Sequence, residues 1–180
     1  MNLKLGIVAC TLWLTASNAI AQTNLSNNCQ KQDVETLTTK LVQDLPSYAN
    51  RVSQKSRRLN RSVDIYSYVL LAGKQEFAPL SLGPGEYTST PPTLSNEQPQ
   101  QVFITTLERQ YMSGKLVELQ QYHWLFLTQT DSGWRLAFMF SRTGTYPSSQ
   151  PPTPPRESSN GVIAQAVTTW LRDCQAGTLR

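Results

Sequence analysis

From Gln101 to Thr143 apolar and polar residues alternate with a period close to two, in QVFITTLERQYMSGKLVELQQYHWLFLTQTDSGWRLAFMFSRT. That is the spacing of strands whose successive side chains point to opposite faces. Two breaks divide the run. Ser113-Gly114 sits between residues of high strand propensity, and Thr130-Asp131-Ser132-Gly133 offers Asp and Ser for a turn and a Gly that accepts positive φ. Three consecutive antiparallel strands are therefore expected. A two-residue loop at Ser113-Gly114 sets Arg109 opposite Glu118, Thr105 opposite Tyr122 and Phe103 opposite Trp124. A three-residue loop with Gly133 as its bulge residue sets Thr130 opposite Trp134, Phe126 opposite Phe138 and Trp124 opposite Phe140. One face then collects Phe103, Leu107, Trp124, Phe126, Trp134, Leu136, Phe138 and Phe140, and is expected to be the core face. The other carries Ile104, Glu108, Leu119, Gln121, His123, Leu125, Leu127, Arg135 and Met139, and is expected to form a partly covered concave surface.

Elsewhere the period lengthens. Asp33 is a suitable N-cap, and Val34, Leu37, Leu41, Val42 and Leu45 follow at helical spacing. Pro46 is expected to break or restart that helix, with a second helical segment from Ser47 to about Leu59. Val63 to Ala72 is rich in β-branched and aromatic residues and reads as a fourth strand beside the other three. Residues 75–100 lose periodicity: Pro79, Gly83, Pro84, Gly85, Pro91, Pro92 and Pro99 punctuate a long loop, with a short strand near Glu86 to Thr88 and Tyr87 as its anchor. Residues 144–157, with Pro147, Pro151, Pro152, Pro154 and Pro155, read as a stiff polyproline II spacer. A last helix is expected to open at Ser158, Ser159 or Asn160, and its stripe of Ile163, Val167, Trp170, Leu171 and Cys174 faces the sheet.

The first residues change the compartment. Lys4, an apolar run from Leu5 to Ala16 and the small-residue pattern Ala19-Ile20-Ala21 form an export signal over residues 1–21, with cleavage before Gln22. Ile7-Val8-Ala9-Cys10 also matches a lipoprotein processing site, although the apolar run continues past it. The apolar run is shorter than the roughly 20 residues a membrane helix needs. Loss of Lys4 and Cys10 takes the 16 basic and 12 acidic residues to an excess of three positive charges, and leaves Cys29 and Cys174. An even pair in an exported chain predicts a disulfide. The expected product is a single α+β domain over residues 22–180. It has N-terminal helices, an antiparallel sheet of four or more strands and a C-terminal helix packed on it, with one disulfide joining its ends.

Candidate chemistry is sparse. Arg51, Lys55, Arg57, Arg58 and Arg61 fall within eleven residues, and Arg51, Lys55 and Arg58 share a helical face. They suit either an anionic partner, such as an envelope surface or an acidic protein, or a solvated face. The small charge excess argues against nucleic acid. His123, the only histidine, has Ser141, Gln121 and Glu108 as neighbours on its face, and these four are the candidate ligand-binding residues. No catalytic residue is assigned, because no nucleophile motif accompanies His123. One His and two paired Cys build no usual metal site, and no phosphate loop or cofactor motif is present.

Over whole segments, DLPSYANRVSQKSRRLNRSVDIYSYVLLAGKQEFAPL and VELQQYHWLFLTQTDSGWRLAFMFSRTG, the chain resembles an uncharacterised group of exported cyanobacterial proteins, which implies export to periplasm, lumen or exterior and no particular activity. A looser resemblance, in the helices-first order and the Asp131-Ser132-Gly133-Trp134-Arg135-Leu136 hairpin, is to the NTF2-like α+β fold, which implies a curved sheet enclosing a pocket. The function expected first is a non-enzymatic exported binding or interaction module of the cell envelope. The alternative is an NTF2-like small-molecule pocket with hydrolase or isomerase chemistry at His123.

Overall fold

The structure, a computed structural model, describes residues 29, 31–59, 67–73, 75–77, 99–112, 114–146 and 149–179. The expected leader, the basic residue Arg61 and the strand expected near Glu86 lie outside them. Among the described residues seven elements follow in order: α1 (Val34–Leu59), β1 (Ser67–Ala72), β2 (Gln100–Met112), β3 (Lys115–Thr130), β4 (Gly133–Thr143), β5 (Arg156–Glu157) and α2 (Val162–Gln175). The five strands form one antiparallel sheet in chain order, so each strand pairs with the next. The expected α+β class is thus observed, with a disulfide joining Cys29 to Cys174 across a Cα separation of 5.8 Å. Among the described residues no helix is long and apolar enough to cross a membrane.

The register of β2 on β3 is the expected one throughout, including Arg109 opposite Glu118 and Phe103 opposite Trp124. Gly114 takes φ 76° at the tight turn, where a Cβ would be strained. At β3–β4 the expectation fails near the turn. Thr130 pairs with Gly133 instead of Trp134, so the loop holds two residues, and an irregularity opposite Phe126/Leu127 inserts one extra residue into β4 before Phe126 meets Phe138. Because the side-chain period is two, that insertion turns Trp134 and Leu136 to the other face and sends Arg135 outward.

The larger correction concerns which face is the core. Both helices pack on the face expected to be partly open. Leu37, Leu41, Leu45, Tyr48 and Ala49 of α1 and Ile163, Ala164, Val167, Trp170 and Leu171 of α2 bury Val102, Ile104, Leu125, Leu127, Met139 and Trp134. The aromatic face expected to be the core points away from the helices. The ringed face also carries Thr105, Arg109, Glu118, Gln120 and Arg142, which would cost free energy to desolvate under a helix.

Residues 34–59 form one helix that runs through Pro46 rather than two. The proline removes one backbone bond, and burial of residues on both sides of it holds the turns in line. Asp33 caps the start, accepting from the Thr36 N–H at 2.8 Å. Near the other end Asn50 clamps the edge strand β1, donating to Val69 O and accepting from Val69 N–H, both at 2.8 Å. Two side-chain bonds join the helices: Trp170 Nε1 donates to Asp44 Oδ2 at 2.8 Å and Tyr48 OH to Asp173 Oδ2 at 3.1 Å. The proline-rich stretch lies along the opposite edge. Thr153 N–H donates to Thr143 O at 3.0 Å, and Thr143 N–H donates to Thr153 Oγ1 at 2.9 Å. Its prolines offer no N–H to a further strand, which blunts the edge. Ser158 and Ser159 do not cap α2. Their groups bond to Met139 in β4, and Gly161 takes the cap position without a side-chain bond.

Candidate functional site

All four residues singled out for ligand binding share the helix-facing side of the sheet. Thr106, on β2, and Ser141, on β4, flank His123 on the central strand. Thr106 Oγ1 lies 2.9 Å from His123 Nε2, Ser141 Oγ lies 2.8 Å from Nδ1, and Ser158 Oγ lies 2.7 Å from Ser141 Oγ. The row ends where Ser158 Oγ donates to Met139 O at 3.3 Å. That last bond sets the direction of the rest. With its proton on Met139 O, Ser158 accepts from Ser141, Ser141 accepts from Nδ1–H, and Nε2 accepts from Thr106. His123 is 3% exposed and Thr106 1%. Burial pushes the imidazole pKa down to about 4, so the ring is neutral at pH 7 with both nitrogens bonded to hydroxyls. The row joins three strands and the segment after β5, and a ring so held has no free nitrogen to turn to a substrate.

Gln121 stands one row further along, accepting from Thr143 Oγ1 at 3.0 Å. Glu108 is two residues beyond Thr106 on β2. Burial raises its pKa, and bonding to Gln110, Ser67 and Thr106 offsets that only in part. Of the four, His123 and Ser141 bond directly, while Gln121 and Glu108 have other partners.

The His123 row has a pH signature. Between the ordinary value of 6.5 and about 4 the unfolded chain takes up a proton that the native ring refuses, so stability is lost as pH falls through that window. The loss is about 3 kcal/mol when complete. Glu108 acts in the opposite sense, since a raised carboxyl favours the native state on acidification. Unfolding by urea at stepped pH is expected to show the decline in the parent and a flatter profile in His123→Gln. Equal slopes would contradict the assignment.

The outward face was missed as a candidate because its rings were assigned to the core. Phe103, Tyr122 and Trp124 form one group: Phe103 lies 5.5 Å from Trp124 and stacks on Tyr122 at 6.1 Å. Phe126, Phe138 and Phe140 form another, Phe126 stacking on Phe138 at 4.2 Å with Phe140 edge-on to both. The Arg142 guanidinium lies 4.9 Å from the Tyr122 ring centre and 5.7 Å from that of Trp124, within cation–π range. Two donors on this face, Trp124 Nε1 and Arg142 Nε, are buried with no acceptor among the described residues. Phe138 is 37% exposed. Further along, Arg109 bonds Glu118 Oε1 from Nε at 3.1 Å and from Nη2 at 2.6 Å, the cross-strand pair expected from the register. The clue in the sequence was the company the rings keep, because Thr105, Arg109, Glu118, Gln120 and Arg142 alternate onto their face while the helix-facing side is mainly aliphatic.

No family model matches this chain, and no curated protein or solved structure matches it either. The site is therefore read from its own geometry.

The basic stretch is placed on α1. Arg51 and Lys55 are exposed, the Arg51 guanidinium lies 4.0 Å from the Tyr48 ring centre, and Arg58 belongs to the same helix.

Proposed function

We propose that the chain is a non-enzymatic binding or interaction module exported to the cell envelope, and that the outward aromatic face, rather than the His123 row, engages a partner. The supporting observation is the group of six rings on the side away from both helices, among which Phe138 is 37% exposed. Contiguous apolar patches on folded domains mark interaction sites. The His123 row supports the non-enzymatic half of the reading, since a substrate would have to displace Thr106 or Ser141 to reach the imidazole. Export is supported by the Cys29–Cys174 bridge, because disulfides persist in oxidising compartments.

The test is photo-crosslinking in the producing cell, with a benzophenone amino acid in place of Phe138 on the outward face or Thr168 on the exposed side of α2. Intermolecular adducts are expected at 138 and not at 168. Equal yields, or none at 138, would contradict the reading.

A further inference from the structure

We propose that the basic flank of α1 docks on an anionic bilayer surface, a second site of interaction separate from the ringed face. The first observation is where the charge sits. Four of the 16 basic residues, Arg51, Lys55, Arg57 and Arg58, fall within eight residues of the helix, with no acid among them. The 12 basic residues that remain match the 12 acidic ones, so the whole formal charge of +4 resides on about two turns of one helix. A surface kept soluble by charge intersperses the two signs. Here like charges stand at i, i+4 in Arg51 and Lys55 and at i, i+3 in Lys55 and Arg58, spacings at which they repel and weaken the helix. The macrodipole offsets that cost in the last turn, which holds Arg57 and Arg58 but neither Arg51 nor Lys55.

The second observation is that the fold supplies these cations with no counter-charge. Arg51 and Lys55 are exposed, and among the described residues no carboxylate pairs with either. Arg51 is held over the Tyr48 ring instead, at 4.0 Å from its centre. Asp173, which accepts from Tyr48 OH through Oδ2, is paired through Oδ1 with Arg172. The chemistry and the shape together select the partner. A guanidinium fork takes phosphate oxygens two at a time. Arg51, Lys55 and Arg58 share one side of a helix over about 10 Å, a convex row. Among the described residues α1 exposes no large apolar side chain. A folded acidic protein is held mainly by buried aromatic or apolar anchors, which this row does not offer. Lipid headgroups need no matching shape, and each basic residue near an anionic bilayer multiplies partitioning by roughly five. Because α1 packs on the side of the sheet opposite the rings, docking by this flank leaves the ringed face free for its own partner.

The experiment is co-sedimentation of the purified mature protein with vesicles of phosphatidylcholine, alone or with about one third phosphatidylglycerol. Binding is expected to the anionic vesicles and not to the neutral ones, and it should fall at least about ten-fold as salt rises from about 0.05 to about 0.5 M. Arg51→Gln/Lys55→Gln/Arg58→Gln is expected to bind about 100-fold more weakly, with an unchanged circular dichroism spectrum. Lys115→Gln/Arg135→Gln/Arg156→Gln removes the same charge from exposed positions on the sheet and should bind within about two-fold of the parent. Equal losses in the two triple variants overturn the assignment to α1, because net charge alone would then govern. No binding to anionic vesicles, or binding indifferent to salt, overturns the proposal outright. If the α1 variant fails to fold, the vesicle and salt comparisons on the parent and the sheet variant decide. Retention on an acidic polysaccharide resin without vesicle binding overturns the bilayer and gives the flank to a polymer. Crosslinking at Phe138 depends on none of these outcomes, so failure here is distinct from failure of the ringed face.

Discussion

Trp170→Ala is expected to destabilise the protein by about 4 kcal/mol, within the range for truncating a buried ring. Trp170 is fully buried at the centre of α2, facing α1, and its Nε1 donates to Asp44 Oδ2 at 2.8 Å. Truncation therefore does two things at once: it opens a cavity between helices and sheet, and it strips a half-buried carboxylate of its donor. Trp170→Phe separates the two. It keeps most of the packing and loses the bond, for an expected cost of about 1–2 kcal/mol. Urea unfolding of both variants checks the ordering. A Trp170→Ala midpoint close to the parent's would mean that α2 is not seated as described.

Removing the disulfide is expected to cost more. The bridge spans 145 residues, and in the chain-entropy model a loop of that length is worth about 5 kcal/mol, through restriction of the unfolded chain. For a domain of this size the melting temperature of Cys29→Ser/Cys174→Ser should fall by roughly 10–20 °C. Both cysteines are 2% exposed. A reductant should accordingly leave the native protein oxidised and act only once denaturant opens it. Free thiols in the native protein, or a double variant that melts with the parent, would contradict the account.

Much of this fold was legible in the sequence, and the reasons are local. The β2–β3 register follows from one tight turn, and a long uninterrupted ladder leaves no freedom to slip. The disulfide follows from the two cysteines that remain once the expected leader, with Cys10, is set aside, and from Cys174 lying on the buried stripe of α2. Parity alone put Glu108, Gln121, His123 and Ser141 on a common face. Their bonds were not legible, because they depend on Thr106 and on Ser158, which arrives from beyond β5. Two things misled. The extra residue in β4 is invisible to a periodic pattern, and it reversed Trp134, Arg135 and Leu136. Ring area is also a poor measure of a core when both faces of the sheet are apolar enough to be buried. The helices decide between them, and their aliphatic ridges match Val102, Ile104, Leu125 and Met139.

The helix-facing side of the sheet is the core, and the ringed side lies outside it. Neighbouring residues of β3 test it, because Leu125 is fully buried under the helices while Phe126 points the other way. Urea unfolding should show Leu125→Ala losing about 3 kcal/mol and Phe126→Ala, despite its larger deletion, about 1 kcal/mol. A greater loss from Phe126→Ala than from Leu125→Ala would contradict the claim.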